Sequence, residues 1–143
     1  MKAKVKRKFT ITILFLISAL IIAFIINYFF INIYEVIIEK TPEYLYADKN
    51  STIKLEVVPI NALGFRSPFR TVKSNFKIVE GNDLIEIIKK DELNGILILR
   101  SKGSAGKAAV VIHTGKSLLP SYVEIQILPN TVSKKSILPD KVI

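Results

Sequence analysis

An uncharged run of 26 residues, Phe9–Tyr34, constrains the fold of this chain more than any other feature. As an α-helix it would be about 39 Å long, which exceeds the roughly 30 Å hydrocarbon core of a bilayer. A cleavable signal peptide has a shorter apolar stretch that ends at small residues. This run instead ends in Asn and aromatic residues, so we predict an uncleaved signal anchor with a transmembrane helix over residues 9–34, and keep cleavage as the alternative.

Basic residues at the N-terminus set the expected orientation of this helix. Positive charge beside a membrane span stays in the cytoplasm, so residues 1–8 are predicted to be cytoplasmic and the C-terminal part to be periplasmic or extracellular. The Lys- and Ile-rich composition favours a bacterium, and hence its inner membrane. The topology-determining residues are Lys2, Lys4, Lys6, Arg7 and Lys8.

The net charge of +9 is concentrated beside the span and does not indicate nucleic-acid binding. Of the 21 basic residues, 16 follow Lys8, against 12 acidic residues in the chain. Beyond the first eight positions the sequence is therefore only mildly basic, and we expect neither a nucleic-acid partner nor a small-molecule substrate.

Small and polar residues within the span predict contacts in the membrane. Ala19 and Ala23 have the spacing that lets helices approach closely, and Asn27 could hydrogen-bond to a partner helix. The alternative is that Asn27 and Asn32 lie near the membrane interface, where aromatic rings also crowd. The predicted partners are thus the lipid bilayer and other membrane protein subunits.

Alternating apolar residues follow Thr41-Pro42 and predict short β-strands separated by turns. One segment, Asp83–Leu93, also fits a helix, but its β-branched content favours a strand. We predict an all-β fold: one transmembrane helix, a linker over 35–41, an antiparallel β-sandwich over 42–129 and a tail over 130–143. The seven candidate strands are Tyr44–Ala47, Thr52–Val58, Phe76–Val79, Leu84–Ile88, Gly95–Arg100, Ala108–Thr114 and Tyr122–Leu128.

Two of these regions resemble the bacterial immunoglobulin-like domains. Pro42–Ala62 is similar to their first two strands and the following Pro-x-Asn-Ala turn, and Gly103–Ile112 to their penultimate hairpin. Phe76 stands where a third-strand Trp would be expected. The resemblance covers about Pro42–Pro129 and implies an Ig-like sandwich that serves adhesion, spacing or assembly, with no catalytic residues.

The sequence offers little for catalysis, metal binding or cofactors. There is no Cys, and the single histidine, His113, is predicted to face solvent on its strand. Glu80 and Asp83 flank a turn that is more typical of turn chemistry than of a calcium site. Gly103–Lys107 lacks the Ser/Thr and the helix of a phosphate-binding loop. We therefore expect a non-enzyme without metal or cofactor.

The connection Ile60–Val72 is the most informative candidate surface. It holds two Phe and two Arg, residue types that are enriched at binding hot spots. The partner-binding candidates are Phe65, Arg66, Phe69 and Arg70. Alternatively, a Phe closes one end of the sandwich, or the loop faces the bilayer with its arginines on lipid headgroups. The tail from Thr131 is expected to be disordered or an extended arm.

These observations predict an accessory or structural subunit of a larger membrane protein complex. A free-standing membrane-anchored adhesion or envelope-binding module is the alternative, in which the helix would be only a tether.

Overall fold

The computed structural model describes residues 2–130; the predicted tail, apart from Asn130, lies outside them. The N-terminal helix α1 spans Lys2–Ile26 and continues as a π-helical turn over Asn27–Ile31. Helical structure thus ends at Ile31, three residues before the predicted end. Eight strands follow: β1 Glu35–Thr41, β2 Leu45–Tyr46, β3 Thr52–Ile60, β4 Ser74–Glu80, β5 Ile85–Asp91, β6 Ile96–Ser101, β7 Gly106–Thr114 and β8 Ser121–Leu128.

The strands form two four-stranded sheets, in the orders β1-β3-β6-β5 and β2-β8-β7-β4. The pairings β3–β6, β5–β6, β4–β7 and β7–β8 are antiparallel, and the pairing of β2 with β8 is parallel. The first order corresponds to the A, B, E and D strands of an immunoglobulin sandwich, and β8, β7 and β4 correspond to G, F and C. This confirms the predicted fold class, and Asp83–Leu93 contains a strand, as predicted.

The strand count is eight because residues 35–41, expected as a linker, form β1. Its burial alternates between exposed and half-buried positions. Charged residues separate Glu35–Thr41 from the apolar run before it, but its sequence does not alternate strictly between apolar and polar residues, so the strand is evident only from its pairing with β3.

Two compact units can be distinguished. The helix–loop unit comprises the described residues up to Ile37 together with Val58–Thr71. The sandwich unit comprises Ile38–Val57 and the described residues from Val72 onward.

The core of the sandwich unit follows from the two-residue period of its strands. In β3, Ile53 and Leu55 are fully buried and lie opposite Leu99 and Leu97 of β6. In the other sheet, Ala108 of β7 pairs with Ile125 of β8. Phe76 of β4 is only 5% exposed. It is therefore a buried aromatic side chain on the strand that corresponds to C, the strand on which immunoglobulin domains carry a buried Trp.

Two edge strands are interrupted in ways that discourage strand addition. The pairing of β4 shifts between Ile78 and Glu80, and that of β5 shifts between Ile87 and Lys89. Bulges and lysines at sheet edges are common protections against pairing with another chain. These two edges are therefore poor candidates for a binding surface.

The turn between β2 and β3 depends on Asp48. The Asp48 carboxylate accepts hydrogen bonds from Ser51 N at 2.6 Å and from Ser51 Oγ at 2.8 Å. These bonds hold the pKa of Asp48 below its ordinary value of 3.8. A group whose pKa is depressed by folding contributes stability above its unfolded pKa and loses it as the pH falls through its folded pKa.

We expect acid to destabilise the wild-type chain more steeply than Asp48→Asn below about pH 4, because only the wild type has to protonate a hydrogen-bonded carboxylate here. The thermal midpoint, measured against pH for both proteins, checks this. Ser51→Ala, which removes one donor, should show an intermediate slope. Parallel curves for the wild type and Asp48→Asn would contradict the role of Asp48.

Candidate membrane-proximal binding surface

The apolar N-terminal helix ends in a cluster of aromatic side chains. Phe24 stacks on Tyr28 with ring centroids 6.3 Å apart, and Tyr28 meets Phe29 edge to face at 5.1 Å. All three rings, with those of Phe30 and Tyr34, are exposed. Amphipathic and aromatic rings are favoured where a span reaches the headgroups, so this end of the helix has the composition of a membrane interface.

The last carbonyls of the helix receive hydrogen bonds from a distant loop. Asn61 Nδ2 donates to Phe30 O at 3.1 Å, and Ser67 Oγ donates to Ile31 O at 2.6 Å. The final carbonyls of a helix lack intrahelical partners and need donors from elsewhere. Asn61 and Ser67 are each only 2% exposed. The helix end and this loop are therefore joined through hydrogen bonds whose donor side chains are buried.

The same asparagine organises the loop itself. Asn61 Oδ1 accepts from Leu63 N at 3.0 Å and from Phe65 N at 3.1 Å, and Asn61 N donates to Phe65 O at 2.8 Å. Gly64 has a φ of +83°, a value that favours glycine. Asn61 thus fixes a tight turn and its attachment to the helix at once. We call residues 61–70 the Asn61–Arg70 loop.

This loop presents all four predicted partner-binding candidates at the surface. Phe65 is 67% exposed and Phe69 is 101% exposed, so neither ring closes the end of the sandwich. Leu63, which the sequence reasoning missed, adds a third apolar side chain at 45% exposure. Arg66 and Arg70 are exposed on the same loop. The surface is apolar and basic together.

The backbone of Phe69 is strained. Its φ of +58° lies in the left-handed region, where bulky residues are rarely found. Such outliers persist where the surrounding structure enforces them, and they cluster at functional sites.

We expect Phe69→Asn to stabilise the helix–loop unit by about 1 kcal/mol, because Asn tolerates the left-handed conformation. Amide exchange of the Asn61–Arg70 loop in the full chain measures the change. Phe65→Asn removes a ring from the same loop without relieving a positive φ, so it should give no comparable gain. Equal effects of the two substitutions would contradict the assignment of strain to Phe69.

A shallow hollow of about 300 Å³ lies between the helix end and the loop, lined by Tyr28, Phe29, Asn32, Ile33, Tyr34 and Ala62. Asn32 Oδ1 accepts a hydrogen bond from Ile33 N at 3.1 Å. Asn32 is thus used locally, close to the end of the span.

The remaining predicted residues lie along the helix, away from the loop. Ala19 and Ala23 are exposed one helical turn apart, and Asn27 begins the π-helical turn. The basic residues Lys2, Lys4, Lys6, Arg7 and Lys8 lie in α1. The structure brings the four loop candidates together but joins neither of these two groups to them.

Asn61 and Ser67, which connect the loop to the helix, were not predicted as site residues. Asn61 stood in a recognised turn motif, but its second role depends on a partner 31 positions away. A buried amide within an otherwise exposed loop is the structural sign of that role.

Several polar side chains on the sandwich unit bond to one another. Lys107 Nζ lies 2.9 Å from Glu124 Oε1, and this hydrogen bond and its charge raise the pKa of Lys107 and lower the pKa of Glu124. Tyr122 Oη donates to Glu80 Oε2 at 3.4 Å. Desolvation, followed by the charge of Glu80, raises the pKa of Tyr122. Lys107, Tyr122 and the two carboxylates thus bond to one another on one strand face.

His113 is exposed on β7, as predicted. It lines an open hollow of about 440 Å³ that also includes Lys73, Asn75, Glu92 and Thr114. Thr114 Oγ1 is buried and lacks a hydrogen-bond partner among the described residues. Within residues 2–130, no three His, Asp or Glu side chains are grouped as a metal site would require.

Neither a protein-family model nor a curated protein matches this sequence. Among solved structures, a glycosyl hydrolase family 2 member from Bacteroides cellulosilyticus is similar at 17% identity and a TM-score of 0.51, over 68% of this chain and 14% of that one. The adhesin InvE of Yersinia pseudotuberculosis is similar at 12% identity and a TM-score of 0.43, over 66% of this chain and 26% of that one. An intimin fragment, in complex with the intimin-binding domain of the translocated intimin receptor, is similar at 14% identity and a TM-score of 0.42. The likeness covers 67% of this chain and 33% of that one.

The fold is an immunoglobulin-like β-sandwich. Strand order decides this, because the two sheets have the A-B-E-D and G-F-C arrangements of an immunoglobulin sandwich. The chain spans about 14% of the length of that hydrolase. At 17% identity the likeness concerns fold alone, so function has to be argued from the Ig-like chain itself.

Proposed function

We propose that this chain is a non-catalytic single-pass membrane protein that presents its Ig-like sandwich outside the cytoplasm. We further propose that it acts as an accessory or structural subunit of a larger membrane protein complex. One observation carries this proposal: the apolar helix over Lys8–Ile31 has a mean hydropathy of 2.9, and its most apolar stretch contains no residue buried by the rest of the described chain. Its surface is therefore free for lipid and for partner helices.

The proposed helix contact involves Ala19, Ala23 and Asn27. Residues four positions apart lie on the same helix face, and two alanines there would let a partner backbone approach closely. Asn27 could donate a hydrogen bond within the membrane, where such bonds contribute about 1 kcal/mol. Phe65, Arg66, Phe69 and Arg70 are proposed as a second binding surface, next to the end of the span.

Native membranes, solubilised in a mild detergent and separated by size, test the subunit role. We expect the chain to migrate well above its monomer mass of 16.1 kDa. Ala19→Ile with Ala23→Ile should release it, because the added side chains separate the helices. Leu14→Ile with Ile21→Leu, which keeps the size of the exposed helix surface, is the matched control. A monomeric wild type would contradict the proposal.

Topology can be tested by thiol labelling, since the chain contains no Cys. Ser104→Cys, at an exposed position in the sandwich unit, should react with an impermeant reagent added from outside. Lys4→Cys should react only after the membrane is opened. The reverse pattern would refute the proposed orientation.

A further inference from the structure

We propose that the Asn61–Arg70 loop docks on the outer surface of the membrane that α1 spans. In this arrangement Leu63, Phe65 and Phe69 enter the boundary between headgroups and acyl chains, and Arg66 and Arg70 bind the phosphates of anionic lipids. The inference rests on the proposed function in one respect, namely that α1 crosses a bilayer.

The hydrogen bonds to the helix end determine the depth of the loop. The apolar helix over Lys8–Ile31 has 24 residues, which correspond to about 36 Å and slightly exceed the hydrocarbon core. Its end is therefore at the level of the outer headgroups. Because Asn61 and Ser67 contact the carbonyls of Phe30 and Ile31 directly, the loop backbone lies within one side-chain length of that level.

The side chains of the loop match this depth. Leu63, Phe65 and Phe69 are 45%, 67% and 101% exposed, and a monomeric soluble surface seldom groups large apolar side chains in this way. Apolar side chains enter the headgroup region by about 5–10 Å when basic residues accompany them. Two arginines on the same loop supply the charge that anionic lipids attract.

The strained backbone of Phe69 supports the same conclusion. Its left-handed conformation holds a large ring that none of residues 2–130 covers. Burial of that ring in lipid would offset the conformational cost, because apolar burial and backbone strain are of similar size. A protein surface could also cover the ring, but continuity with the end of the span favours lipid.

Single tryptophans can measure the depth directly, since the chain contains no Trp. The full chain is reconstituted in phosphatidylcholine–phosphatidylglycerol bilayers whose acyl chains carry bromine, a quencher, at a shallow or a deep position. We expect strong quenching of Phe65→Trp and Phe69→Trp by shallow bromine. Leu20→Trp, in the middle of the helix, should be quenched by deep bromine. Ala105→Trp, an exposed position in the turn between β6 and β7, should be unquenched.

The pattern of quenching separates the possible failures. If Leu20→Trp is quenched while both loop tryptophans behave like Ala105→Trp, the loop does not contact lipid and the inference is overturned; the surface would then be left for a protein partner. If Leu20→Trp is also unquenched, the helix is not in the bilayer, and the proposed function fails together with the inference.

The arginines have a separate test. In the Phe69→Trp background, Arg66→Gln with Arg70→Gln should lower the docked-to-undocked ratio about fivefold per arginine in anionic bilayers. Little change is expected in bilayers without phosphatidylglycerol. Lys77→Gln with Lys116→Gln removes the same charge from exposed positions of the sandwich unit and should have no such effect. Equal losses from the two pairs would contradict a specific role of the loop arginines.

Discussion

Replacing Asn61 by alanine should destabilise the helix–loop unit by about 3 kcal/mol. The side chain makes three hydrogen bonds, one to Phe30 O and two from the amides of Leu63 and Phe65. It is 2% exposed, so water cannot readily replace these bonds. Each lost bond that leaves a buried partner costs about 1 kcal/mol or more.

Hydrogen exchange of the full chain in bilayers measures this loss. The amides of Leu63 and Phe65 should exchange about a hundredfold faster in Asn61→Ala, whereas those of β7 and β8 should keep their protection. Asn61→Asp keeps the acceptor and removes the donor, so it should lie between the wild type and Asn61→Ala. Asn94→Ala, which removes an exposed amide bonded to Asp91, is the control and should have a small effect. Unchanged exchange in Asn61→Ala would refute the role given to this residue.

Replacing Gly81 by alanine should cost the sandwich unit about 4 kcal/mol. Gly81 has a φ of +71°, and a Cβ there would lie 2.6 Å from Lys107 O and 2.8 Å from both Cα and Cβ of Ala108. These atoms belong to β7 in the middle of its sheet, where the backbone cannot move without breaking pairing. The cost combines left-handed strain of about 1–2 kcal/mol with overpacking of about 1–3 kcal/mol.

Two other glycines separate these contributions. Gly64 has a φ of +83° but no heavy atom of the described residues within 4 Å of its Cβ position, so Gly64→Ala should cost only the strain. Gly115 has open space and no such φ, so Gly115→Ala should be neutral or slightly stabilising. Denaturant unfolding of the three variants measures the order. A Gly81→Ala chain as stable as Gly115→Ala would contradict the close approach to β7.

The strands after residue 41 could be predicted because their information is local. Alternation in segments such as Ser121–Leu128, where Ile125 and Ile127 are buried and Gln126 between them is exposed, reflects one buried face, and the turns between strands contain Gly, Asn and Asp. The strand β1 could not be predicted in this way. Glu35–Thr41 directly follows the apolar run, and apolar and polar residues alternate only weakly in its sequence, although their burial alternates. Tertiary pairing decides such segments.

The candidate site also has one part that could be predicted from the sequence and one part that could not. Residue types alone indicated the Phe and Arg side chains of the Asn61–Arg70 loop as a binding surface. Its attachment to the helix depends on hydrogen bonds across 31 and 36 positions. No periodicity encodes contacts of that separation, so the buried roles of Asn61 and Ser67 became evident only from the fold.

The bonds from Asn61 and Ser67 to the last helical carbonyls also limit how the apolar helix can rotate relative to the loop. A helix joined to its domain by a free linker can turn about its own axis without consequence. Here the loop has to turn with it, because the bonds hold the two as one body. If the loop docks on a membrane surface as proposed, that contact also fixes the direction in which the helix face with Ala19 and Ala23 points.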